Sequence, residues 1–300
     1  LAIWGLFNIN HSNKYPTPKK MQNAYTGVNY DNIKIEKILS KFKIPFSIKK
    51  DSFVAKKISE ENVVGWFSKN SEYGPRALGN RSILADSRSK KIRDFVNKNI
   101  KHRELYRPFA PSVLQEDSKF FFKLKNSSPY MLQVAKVKKP KLVPSINHID
   151  NTARVQTVSK ENNLSYYNLI NEFKKITSIG CILNTSFNDK GEPIVETPLD
   201  ALISSIKTNL DYLVLNKYLI DLKKVKLKKK LLKKLEKLRK IKLKEEIRIS
   251  QKKILKTFSY SDFIKYKKNI EPDAYYSASF YSLDIFLKKI KFLIKNNKKI

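Results

Sequence analysis

From Val63 to Ile220 the chain alternates between two textures, and that alternation restricts it to few folds. Short runs rich in β-branched and aromatic residues stand between Gly, Pro, Asn or Asp. They are VVGWF (63–67), RSILAD (81–86), FAPSVLQ (109–115), YMLQVAKV (130–137), ARVQTV (153–158), GCILNTSF (180–187) and DYLVLNKYLI (211–220). Runs of this length and make-up predict strands. Between them, SRSKKIRDFVNKNIK (87–101), LSYYNLINEFKKI (164–176) and TPLDALISSIKT (197–208) predict helices. The last has a clear start, with Thr197 as N-cap and Pro198 at the first helical position. Strands and helices follow one another irregularly. The expected fold is therefore α/β (α+β), with a mixed sheet rather than a purely parallel one.

Both flanks differ from this centre. Residues 1–60 read as polar and irregular, with one amphipathic helix from Asp31 to Phe42. The chain starts at Leu1, which suggests a fragment. The tail from Leu222 to Ile300 carries 26 Lys+Arg against 7 Asp+Glu, and no glycine follows Gly191. Within it, LLKKLEKLRKIKLKEEI (231–247) puts apolar residues at 231, 235, 238 and 241, the pattern of a cationic amphipathic helix. Such a helix packs on the domain with a solvated lysine face, binds RNA, or lies on an anionic membrane. The stretch around DAYYSASFYSLDIFLKKI is a candidate for one more helix.

The formal net charge is +35. It points to a polyanion partner, or to the Lys, Asn and Ile bias of an AT-rich genome, since lysines are scattered over every segment. The one cysteine, Cys181, excludes a disulfide framework and fits a reducing, cytoplasmic compartment. His11, His102 and His148 lie too far apart in sequence to suggest a metal site. No run of about 18 apolar residues predicts a membrane span, and LAIWGLFNIN lacks the basic start of a signal peptide.

Two scarce residue types gather in one region. Only nine of the 62 basic residues are arginine, and seven of these fall between Arg76 and Arg154. Of the seven glycines, Gly65, Gly74 and Gly79 form one patch and Gly180 and Gly191 another. Arginine grips phosphate or carboxylate with a planar two-pronged fork that lysine cannot reproduce. Glycine lets the backbone come close to a ligand. Together they describe an oxyanion or phosphate pocket, including Arg81 and Arg103. The bland alternative is a tight turn among surface arginines. Asp150, Thr152, Arg154 and Gln156 alternate, so one strand face could carry all four. NTSFNDKGEP (184–193) is a dense polar turn after a buried-looking strand. Its Asn184, Thr185, Ser186 and Asn188 suit phosphate and ribose, or simply cap a turn. No Walker A sequence and no GxGxxG is present.

The run GWFSKNSEYGPRALGNRSILAD, then KHRELYRPFAPSV, DNTARVQTV, LNTSFNDKGEPIVETPLDAL and LDYLVL resembles the C-terminal domain of the carbamoyltransferase family, which includes nodulation and antibiotic O-carbamoyltransferases. The resemblance covers roughly residues 20–221. It implies a YrdC/Sua5-like twisted mixed sheet with flanking helices. It also implies an activity, conversion of carbamoyl phosphate and ATP, with Mg²⁺, to carbamoyl adenylate. Transfer of the carbamoyl group to an acceptor hydroxyl then belongs to an N-terminal ASKHA-type domain, in the same or a separate chain, and iron is expected only there. Three segments follow: 1–20 as a remnant or linker, 21–221 as the resembling domain, and 222–300 as a lysine-rich helical extension able to contact a polyanion.

Carried over motif by motif, Arg76 matches a phosphate-binding arginine. Lys101 and Arg107 match the basic pair that holds carbamoyl phosphate and the adenylate phosphate. Arg154 matches the arginine of the third motif, and Asn184 and Ser186 reach the same phosphates. The resemblance thus gives Lys101, Arg107 and Arg154 catalytic roles. Asn151 departs from the family's glycine, though Asn tolerates the left-handed conformation, and Ser87 replaces a common proline. A threonylcarbamoyl-adenylate synthase-like protein and a basic RNA-binding module are the alternatives.

Overall fold

The computed structural model describes residues 23–257, with side chains to residue 245. Nine strands form one sheet: β1 Ser47–Ile48, β2 Val64–Phe67, β3 Arg81–Ala85, β4 Ala110–Leu114, β5 Gln133–Lys136, β6 Thr152–Val158, β7 Cys181–Ser186, β8 Tyr212–Leu215 and β9 Tyr218–Asp221. Their order across the sheet is β1-β9-β8-β2-β3-β7-β4-β6-β5. The pairs β2/β8 and β4/β6 are parallel and the other neighbours antiparallel. The mixed sheet expected from the irregular alternation is what forms.

The helices are α1 Asn32–Lys41, α2 Asp51–Ser59, α3 Lys90–Phe95, α4 Ser118–Phe121, α5 Lys160–Thr177, α6 Pro198–Lys207 and α7 Lys228–Thr257. Helix α5 lies against β4, β6 and β7 and packs on α2; α6 lies against β2 and β8 and carries α7. Strands β2, β3, β4 and β8 are buried along their whole length. That explains their near-continuous apolar runs, since a strand covered on both faces has no polar side to show. Trp66, Phe67, Ile83, Leu84, Val113 and Leu183 are 0% exposed at the centre.

Local chemistry sets the element ends. Thr197 caps α6 through a reciprocal box with Asp200: its Oγ1 accepts from the Asp200 N–H, and the Asp200 carboxylate accepts from the Thr197 N–H. Ser89 caps α3, whose end then widens into a π-turn over Val96–Ile100. Asn163 breaks α5 near its start, with φ −155° and ψ 83°. Its side chain donates to Asn80 Oδ1 at 2.9 Å and accepts from the Tyr166 N–H at 3.2 Å. The kink ties α5 to the loop before β3.

Two expectations need correction. DYLVLNKYLI is a hairpin, β8 and β9, rather than one strand. Asn216 turns the chain with φ +52°, and its side chain bonds Lys69 N–H and Tyr30 C=O. Residues 1–60 are less irregular than expected where described: α2 buries Val54, Ala55 and Ile58 on one face. The expected helix at 273–290 lies outside the described residues.

Candidate functional site

Why arginine and glycine gather in SEYGPRALGNRS becomes clear in the loop between β2 and β3. The carboxylate of Glu72 accepts the backbone N–H groups of Leu78 (2.7 Å), Asn80 (2.7 Å) and Arg81 (3.2 Å). One acidic side chain thereby organises the turn, and burial pushes its carboxyl above the usual range despite these bonds. Gly79 sits at φ +103°, where a Cβ would stand 2.1 Å from the Tyr166 ring, so only glycine fits. From outside, Tyr25 Oη donates to Leu78 C=O at 2.9 Å.

Arg81 is 1% exposed beneath this loop. Its guanidinium donates to the carbonyls of Ser68, Lys69, Asn80 and Val28 and stacks 3.6 Å above the Phe67 ring. Arg81 is a brace for the loop and is not brought to the cleft described next. Arg76, at the loop's apex, is exposed and has no hydrogen-bond or ion-pair partner among the described residues.

Arg76 faces a cleft of about 180 Å³ lined also by Arg103, Arg154, Asn184, Thr185 and Ser186, with Phe109 and Met131 as apolar wall. No carboxylate is among its lining residues. Arg103 is held in place: Nε donates to the buried Asn97 Oδ1 at 2.7 Å, and its plane lies 4.6 Å from the Phe109 ring. Arg154 projects from β6. Its Nε is buried and unpartnered, and burial followed by the neighbouring Arg76 lowers its affinity for the proton. Crowded, partly desolvated guanidinium groups without a counter-carboxylate form a site of strong positive potential.

The floor is a hydrogen-bonded polar set under β4, β6 and β7. Asn184 Nδ2 donates to Ala77 C=O (3.1 Å), Ser112 Oγ (3.0 Å) and Gln156 Oε1 (3.1 Å). Ser112 Oγ donates to Gln156 Oε1 at 2.7 Å, and Gln156 Nε2 to Leu78 C=O at 2.7 Å. Asn184 and Gln156 thus fasten the arginine loop to the sheet at Ala77 and Leu78. Lys101 is largely buried beside the end of β7. Its ammonium donates to Ser186 C=O (2.6 Å) and Oγ (3.3 Å) and to Asn188 C=O (3.1 Å) and Oδ1 (2.7 Å). Burial, then the charge of Arg103, pulls its pKa down to about 7.

Of the residues singled out from sequence, Arg76, Arg103, Arg154, Asn184, Thr185 and Ser186 meet at the cleft. Lys101 and Asn188 stand just behind it, bonded to each other. Arg107 does not line it; it is half exposed and pairs with Glu104 at 2.9 Å. Asp150 lies in the turn before β6 and accepts from Thr152, so the four alternating residues do not share one face. Glu72 and Ser112 were not singled out. A lone Glu beside a glycine-rich turn is the signal that could have marked the first; nothing in sequence marks Ser112. Asn151 adopts φ +58°, the left-handed conformation its type tolerates.

A larger cleft of about 420 Å³ lies on the other side of the 102–108 loop, lined by Lys90, Arg93, Tyr106 and His148 among others. Arg93 there is neutralised by Asp94 at 2.8 Å, and no arginines converge. Among the described residues, no three His, Cys, Asp or Glu side chains come together as metal ligands. None of the described helices is long and apolar enough to cross a membrane.

The family profile described as "Carbamoyltransferase C-terminus" matches residues 55–222, a span containing every element of the cleft. An uncharacterised protein of Synechocystis sp., sll1178, is 39% identical over 248 residues, covering 73% of this chain and 40% of that protein. Nodulation protein NolO of Bradyrhizobium diazoefficiens is 48% identical over 163 residues, covering 53% of this chain and 30% of that protein. The 3'-hydroxymethylcephem-O-carbamoyltransferase of Streptomyces clavuligerus is 38% identical over 138 residues, covering 46% of this chain and 26% of that enzyme. The chain therefore spans less than half the length of these relatives.

Proposed function

Because the chain belongs to the carbamoyltransferase C-terminus family, we propose that its arginine cleft forms carbamoyl adenylate from carbamoyl phosphate and ATP. The observation that carries this reading is the convergence of Arg76, Arg103 and Arg154 on one cleft whose lining has no acidic residue. Three arginines without counter-charge, one of them locked in place, suit substrates that bring several phosphates.

Release of both phosphate and pyrophosphate requires one water. Water cleaves carbamoyl phosphate to carbamate and inorganic phosphate. A carbamate oxygen then attacks the α-phosphorus of ATP, the bond to the β-phosphate oxygen breaks, and pyrophosphate leaves. Negative charge spreads over the phosphoryl oxygens in that step, and preorganised cations lower its energy. Arg154, with its free Nε, and Arg76 are assigned to the phosphates. Arg103, locked by Asn97 and Phe109, is assigned to orientation. Lys101 braces the β7 end, so that Thr185 and Ser186 present fixed polar atoms.

Magnesium would arrive with the nucleotide, held mainly by phosphate oxygens and water. The neutral oxygens of Asn184, Thr185 and Ser186 are the cleft groups able to approach it, and Asn184 Oδ1 has no partner among the described residues. Transfer to an acceptor hydroxyl is assigned to an ASKHA-type domain, and its iron with it. Hydroxylamine trapping tests the reading without that domain. Chain, Mg·ATP, carbamoyl phosphate and hydroxylamine should yield AMP and hydroxyurea in equal amounts. Hydroxyurea at the level of a no-enzyme control, from folded protein, would count against it.

A further inference from the structure

We propose that α7 is a docking rod for the phosphate backbone of a double-stranded nucleic acid, a role separate from the cleft. The helix is anchored by Leu231 and Leu235, which are 9% and 0% exposed. On its inner side, Glu236 pairs with Lys207 at 3.3 Å, and Arg239 lies 3.8 Å from Glu192 and 3.7 Å from Asp200. Glu236, Glu192 and Asp200 are thus spent facing the core, while Glu245 is exposed but lies about 100° from the centre of the lysine row.

The outer side is different. Lys230, Lys233, Lys237, Lys240 and Lys244 follow one another at steps of three and four residues, and all are exposed. At 3.6 residues per turn these steps keep the five within about 80° of arc, roughly opposite Leu231 and Leu235, along about 21 Å of helix. None of the five makes an ion pair among the described residues. The stripe is therefore a straight row of free cations at intervals of about one helical turn. A phosphate backbone is the polyanion whose regular charge such a row complements. A membrane surface is the weaker match. An interfacial helix inserts one apolar face; here Leu231 and Leu235 are already buried against the domain, and the exposed Ile241 and Leu243 stand about 160° apart, on opposite flanks of the lysine row. No exposed aromatic lies along the stripe, so stacking on single-stranded bases is not part of the design.

The test is binding of the whole chain to a short mixed-sequence DNA duplex, by fluorescence anisotropy across a salt series. Five backbone contacts give a slope of log affinity against log salt of about −4.5, a loss of roughly 500-fold between about 50 and 200 mM. Replacing Lys230, Lys233, Lys237 and Lys240 with Gln, which preserves helix propensity, should shrink the slope by about 3.6. A control with the same charge change at Lys37, Lys41, Lys123 and Lys125 should leave the slope nearly intact. Circular dichroism checks that both variants fold. Equal losses in the two variants would overturn the proposal, because net charge alone would then explain binding. Stripe-dependent binding to phosphatidylserine vesicles without duplex binding would overturn it too. Hydroxyurea formation should be unchanged in the stripe variant, so this proposal and the cleft assignment fail independently.

Discussion

Replacing Arg154 by Gln should separate binding from stability in opposite directions. The Arg154 guanidinium has no acceptor among the described residues, its Nε is buried without a partner, and Arg76 stands beside it as a like charge. Removing it breaks no internal bond and relieves repulsion. Stability should therefore hold or rise by up to about 1 kcal/mol, as when surface charges are optimised. For a domain of this size that is up to roughly 2–4 °C in Tm. Ligand binding should move the other way. A charge-assisted bond to phosphate is worth about 1.5–3 kcal/mol, so affinity for ATP or carbamoyl phosphate should fall about 10- to 150-fold. Calorimetric titration reads the affinity and a thermal scan the stability. A folded variant with unchanged affinity would refute the placement of phosphate against Arg154. A fall of several degrees in Tm would refute the claim that this arginine is unengaged in the fold.

Glu72→Ala should cost roughly 2–5 kcal/mol in urea unfolding, because three inward-facing N–H groups lose their acceptor. Glu72→Gln keeps an acceptor oxygen and removes a buried charge, so it should cost far less; equal losses would show that the carboxylate's bonds do not hold the loop. At Asn151, with φ +58°, Gly should be tolerated within about 1 kcal/mol while Val costs about 1–2 kcal/mol; identical melting curves would disprove a left-handed turn there. Lys101 titrates near 7, below an unfolded lysine. Above that pH the unfolded chain binds more protons, so stability should rise with pH from about 7 upward. The cleft loses positive charge over the same range, so phosphate affinity should fall, and Lys101→Gln should flatten both profiles.

Strand positions were legible because buried strand segments need apolar runs, and β2, the Ile83–Ala85 part of β3 and the Cys181–Leu183 part of β7 supply them at their observed places. The hairpin was not, because Asn216 and Lys217 interrupt an otherwise unbroken apolar run and only the positive φ of Asn216 announces a turn. Helix α2 is not legible in the sequence because its one buried face, Val54, Ala55 and Ile58, is set among lysines. The arginine and glycine clustering did mark the site, but sequence could not tell a brace from a ligand group. Arg81 and Arg76 share one motif five residues apart, yet one is wrapped by four backbone carbonyls and the other is free. That division depends on Glu72, Asn80 and the kink at Asn163, contacts that span up to 83 residues of chain. Gln156 and Ser112 show the same limit, since their bonds to Leu78 and Asn184 exist only once four strands are side by side.

The most direct measurement is pyrophosphate release from Mg·ATP by this chain, with and without carbamoyl phosphate and with no acceptor added. Release should require carbamoyl phosphate and fall at least about 10-fold in Arg154→Gln. Release that ignores carbamoyl phosphate, or that is undiminished in the variant, would contradict the claim that the arginine cleft is an adenylating site.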